Sequence, residues 1–194
     1  MKSDRKVILT GIFAGINVAG SFIAATLRLP IYMDSMGTIL TAILFGPWYA
    51  MACCIVSGLI QASTFDIYSL YFILSNMVMA FFAGFVAQRG WLKWQSIPFA
   101  NMLIAIPASL VASMIAAYVF GGVTSSGSSY IVQILSALGM NKVTSVFITQ
   151  VITDYTDKLI ALIVMVKFAQ RLPHSMKMQS YLPVGKGSIW KDTV

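Results

Sequence analysis

Residues 29–48 read LPIYMDSMGTILTAILFGPW. The stretch opens on a Pro-containing turn with one acid, Asp34. It enters a charge-free run at Ser35-Met36-Gly37-Thr38 and reaches Gly46-Pro47 before that run ends at residue 65. As one helix, 35–65 would measure about 46 Å at 1.5 Å per residue, too long for a hydrocarbon core of roughly 30 Å. Pro47 removes a backbone donor and Gly46 weakens a helix further. The run is therefore either one kinked span or a hairpin of two short helices, 35–45 and 47–62. That choice sets the side of the membrane on which every later loop falls.

A membrane is implied by composition. Of 194 residues, 58% are hydrophobic and only 10% charged, with a mean hydropathy of +0.83. Soluble domains carry about 25% charged residues, so the solvent around this chain is mostly lipid. The formal charge of +7 does not read as nucleic-acid binding, because the basic residues form no stripe among aromatics. They lie at the ends of apolar segments, as the positive-inside bias expects. Cys53 and Cys54 are adjacent in an apolar run and read as small hydrophobes. The single histidine, His174, lies in a polar tail, which excludes a metal site of imidazoles or thiolates. No cofactor is expected.

About 20 apolar residues cross a bilayer core. Segments 7–27, 68–88 and 97–120 each read as one helix, the first retained rather than cleaved as a leader, the third kinked at Pro107. The last helix lies within 143–171, which carries interior charges. Charge also decides between the two readings of 35–65. With Lys2, Arg5 and Lys6 inside, a hairpin places Arg89, Lys93, Arg171, Lys177, Lys186 and Lys191 inside too. Only Arg28 and Lys142 then lie outside, whereas a single span would expel the 89–93 loop and the basic tail. The expected fold is an all-α, six-transmembrane-helix bundle in the plasma membrane with both termini cytoplasmic. Its second and third helices are short. Segments 28–34, 61–67 and 121–142 are external, the last with room for a short helix. The membrane domain covers 1–173, and 174–194 is a basic cytoplasmic tail.

The polar residues inside this apolar frame are few. Ile152-Thr153-Asp154-Tyr155-Thr156-Asp157-Lys158 puts three ionisable groups in the last helix, with Asp154 and Lys158 four apart on one face. Such charges point into a bundle or a wet cavity, and here they are either a structural ion pair or ligand contacts. Gln150 extends the stripe by one turn. Asp34-Ser35 begins the second helix and reads first as an N-cap, with a ligand contact as the second role. Tyr32, Tyr71 and Asn76 are the other candidates toward the external side; the aromatics could equally be an interfacial belt, and the amide a helix–helix bond. Gly11, Gly15 and Ala19 repeat at four-residue spacing, a face on which helices approach closely in lipid. Ala80, Ala83, Gly84 and Ala87 form another. No nucleophile–histidine pair and no nucleotide-binding glycine loop occurs, so the chain does not read as an enzyme.

The organisation resembles the substrate-binding S component of energy-coupling factor (ECF) transporters. The stretch 29–48 is similar to that family's first external loop, short second helix and Gly-Pro turn. Asp157-Lys158, followed by an apolar run to Arg171-Leu172-Pro173, is similar to the end of its sixth helix. The resemblance implies high-affinity capture of a vitamin or related compound from outside, with a transmembrane T component and two ATPases driving uptake. It implies ligand contacts near Tyr32, Asp34, Gln150 and Asp154, and docking of the T component on Gly11, Gly15 and Ala19. Cobalamin, pantothenate, pyridoxine, and thiamine or queuosine precursors all fit that class. The alternative is a small membrane sensor or regulatory input domain.

Overall fold

A computed structural model describes residues 3–172 other than 123 and 125; the expected basic tail, 174–194, lies outside the described residues. Among those described, the chain is all-helical, with seven α-helices: α1 (Ser3–Thr26), α2 (Met36–Phe45), α3 (Pro47–Thr64), α4 (Ser69–Gln88), α5 (Ile97–Met114), α6 (Ser128–Ala137) and α7 (Lys142–Arg171). A 3₁₀ turn, Trp94–Ser96, leads into α5, and a π turn, Ile115–Val119, prolongs it past Pro107. Three helical stretches are long and apolar enough to cross a membrane: Ser3–Thr26, Ser69–Gln88 and Trp94–Val119.

The hairpin forms where the Gly-Pro pair requires it. Gly46 adopts φ 87°, a conformation open to glycine and strained for other residues. Its amide closes α2 on the Ala42 carbonyl at 3.0 Å, and Pro47 opens α3 at the first helical position, where no donor is needed. Helix α2 therefore drops into the middle of the bundle and packs on α1, α3, α4 and α7. All of its residues except Met36 are buried.

Close approach around α2 is written in glycine. A side chain at Gly37 would collide with the Phe13 carbonyl of α1. One at Gly84 would strike the Pro47 ring, so the Ala80–Ala87 face is an internal seam of α4. Gly11 and Gly15 differ. A Cβ at either would meet nothing within 4 Å, and with Ala19 they lie on the exposed side of α1.

Burial is reversed from that of a water-soluble bundle. Phe22, Leu74, Phe99 and Ile152 are each more than half exposed. Asn17, Thr38, Thr41 and Asn101 are completely buried. Polar groups held inside and apolar side chains turned outward suit a hydrocarbon surround. Cys53 and Cys54 are free and buried in the core.

The two ends of the bundle differ in charge. One end gathers the start of α1, the α2–α3 hairpin, the 89–96 connection and the end of α7, carrying Arg5, Lys6, Arg89, Lys93, Lys167 and Arg171. Several of these cations stand over aromatic faces: Lys6 over Tyr49 at 5.8 Å, Arg89 over Phe85 at 4.6 Å and Lys167 over Trp94 at 5.1 Å. The opposite end, with loops 27–35, 65–68 and 120–141, carries Arg28 and Lys142.

Candidate functional site

A cavity opens at the end poor in cations. About 660 Å³ of space between atoms, open solvent at its mouth included, lies within its bounds. Loop 27–35 forms one wall with Pro30, Ile31, Tyr32 and Asp34. Helix α4 and the turn before it supply Asp66, Ser69, Phe72, Ser75 and Asn76. Helix α7 supplies Gln150, Thr153, Asp154, Asp157 and Lys158, and Thr124, Ser126 and Ser128 close the roof.

The α7 contribution follows from helix geometry. Positions 150, 153, 154, 157 and 158 recur at three- and four-residue steps and share one face. On α4, positions 69, 72 and 76 do the same. Tyr71 falls out of that phase. It is 49% exposed and stands edge-on to Phe120 at 5.0 Å, away from the cavity wall. Tyr32, Asp34, Asn76, Gln150 and Asp154 are brought together; Tyr71 is not.

Each charged group has a distinct set of partners. Lys158 Nζ lies 3.2 Å from Asp157 Oδ2 and 3.5 Å from Asp154 Oδ1. The other oxygen of Asp157 accepts the Met33 amide at 3.0 Å. That bond pins loop 27–35 to α7, with Met33 in a left-handed conformation at φ 54°. Asp66 accepts from the Tyr32 hydroxyl, from the Ser69 hydroxyl at 2.8 Å and from the Tyr68 amide at 3.2 Å.

Asp34 does not cap α2. Ser35 occupies the N-cap position, without a side-chain cap, and Asp34 Oδ2 instead accepts from Asn76 Nδ2 at 2.9 Å. Its other oxygen, Oδ1, is buried without a hydrogen-bond partner. Burial pushes the Asp34 carboxyl above the ordinary carboxylate range, against the pull of the Lys158 ammonium.

Asp66 is an acidic wall residue absent from the candidates read in the sequence. It is a lone acid in the short Phe65–Tyr68 turn. The roof is tied down by one backbone and one side-chain contact. Gly127 donates its amide to the Leu29 carbonyl at 3.1 Å, and Arg28 Nη1 donates to the Tyr130 hydroxyl at 2.6 Å. Comparison with protein-family models, curated proteins and solved structures finds no match for this chain.

Proposed function

We propose that the chain is the membrane-embedded, substrate-capturing subunit of an importer of the energy-coupling factor kind. Six helices cross the bilayer: α1 to α5 and α7. The α2–α3 hairpin makes two of the passes, and α6 lies across the external side. The end rich in cations faces the cytoplasm, so the cavity faces outward. The observation that carries the reading is this cavity, with polar groups from several separate elements converging inside a shell of lipid-facing apolar side chains. A bound vitamin-like compound would sit between loop 27–35 and α7.

The exposed Gly11, Gly15 and Ala19 face is the surface offered to a T component, whose own helices could approach closely there. Two ATPases attached to that component would supply the energy that this chain has no nucleotide loop to supply.

Detergent-purified protein, denatured and analysed by mass spectrometry, should release a small organic compound. Affinity purification from native membranes should bring down a second membrane subunit and ATPases. Release of lipid alone, with no ATPase in the eluate, would overturn the reading.

A further inference from the structure

The chain carries six acidic residues against thirteen basic ones, and four of the six line one cavity: Asp34, Asp66, Asp154 and Asp157. Among the described residues the only basic one in that wall is Lys158, whose ammonium is already shared between Asp154 and Asp157. A chain with a formal charge of +7 thus gathers most of its acidic side chains around one polar cavity.

We infer that the occupant of this cavity is a small organic cation with an N–H donor directed at the Asp34 carboxyl group. This inference rests on the substrate-capture reading and narrows it. In the other three carboxylates no buried oxygen is left without a partner. Asp157 has Lys158 and the Met33 amide; Asp154 has Lys158; Asp66 has Tyr32, Ser69 and the Tyr68 amide. Asp34 alone among the four combines a partnered oxygen with a buried, partnerless one. A buried acceptor without a donor is costly, and a charged donor from a ligand removes that cost most effectively.

Two alternatives fit less well. An anionic ligand would need Lys158, and would have to displace its two carboxylates while facing two more. A bare metal ion would need several oxygens at one point, and no three Asp, Glu, His or Cys residues among those described converge to hold one. Phe72 in the same wall offers a ring face against which a flat or alkylated cation could pack.

The test uses three probes built on one ring: benzamidinium, neutral benzamide and anionic benzoate. Each is titrated into the detergent-purified full chain by calorimetry, after release of any retained compound. Benzamidinium should bind about tenfold tighter than benzamide, the ratio for one charge-assisted bond of roughly 1.4 kcal/mol, and benzoate weakest. Asp34→Asn, which keeps an oxygen for Asn76, should bring benzamidinium to parity with benzamide. Equal binding of all three, or a preference for benzoate, overturns the inference without using any variant. A natural compound that is released by denaturation and proves neutral or anionic overturns the cation assignment and leaves the capture reading standing. No released compound and no binding of any probe overturns both.

Discussion

Asn17 fastens α1 to the centre of the bundle through one amide. Its Nδ2 donates to Thr38 Oγ1 at 2.8 Å, and its Oδ1 accepts the Gly37 amide at 2.6 Å. It is completely buried, in a region where no water can substitute. Asn17→Ala leaves the Gly37 amide without a partner, a loss of about 1–3 kcal/mol. The unfolding midpoint in detergent should fall by several degrees, and an unchanged midpoint would show that the amide adds nothing. Lys158 presents the larger residue-scale effect. Lys158→Met strands Asp154 and Asp157 as buried acids without a counter-charge, and removing one partner of such a pair costs about 3–5 kcal/mol. Adding Asp154→Asn to that variant should recover part of the loss, because one stranded charge is gone. If the double variant unfolds no later than the single one, repulsion between the acids is not the cause.

At the scale of elements, the bounds of α2 and α3 were legible because Gly46-Pro47 leaves the backbone one economical route. The cavity face of α7 was legible because Gln150, Asp154 and Lys158 keep helical spacing in an otherwise apolar run. Tyr71, read as either a ligand-side aromatic or part of an interfacial belt, lies outside the cavity wall. With Asn76 facing inward, position 72 lies on the same face and position 71 does not. Asp66 and Asn17 were not legible as site and hub, since their partners Tyr32 and Gly37 lie on other elements. The roof makes its own prediction. A Cβ at Gly127 would overlap the Arg28 and Leu29 carbonyls, so Gly127→Ala should part loop 27–35 from the start of α6. The amount of small molecule retained through purification should drop severalfold, while wild-type retention would mean that the roof is not needed for holding it. The α1 surface behaves differently. Because nothing packs on Gly15, Gly15→Leu should leave the unfolding midpoint and ligand retention near wild type and abolish co-purification of the ATPases. Equal loss of ligand would argue against a separate docking face.

At the scale of the whole molecule, function depends on which end faces out. Helices with apolar surfaces all round set no orientation by themselves; the asymmetry comes from Lys and Arg near the span ends. Here Arg5, Lys6, Arg89, Lys93 and Arg171 collect at one end, and Arg28 and Lys142 stand at the other. Two exposed positions report the two ends: Ile67 beside the cavity, in the turn before α4, and Gln95 in the connection before α5. The native Cys53 and Cys54 are buried, so the background from an impermeant thiol reagent should be low. In intact cells, Ile67→Cys should be labelled, and Gln95→Cys should be labelled only after the membrane is opened. The hairpin at Gly46-Pro47 is what makes this pattern possible. With 35–65 as one crossing, residues 67 and 95 would both change sides, and Asp66 would lie across the membrane from loop 27–35 instead of sharing its cavity. Labelling of Gln95→Cys in sealed cells, with Ile67→Cys protected, would mean either that arrangement or an inverted bundle, and both remove the basis for an importer.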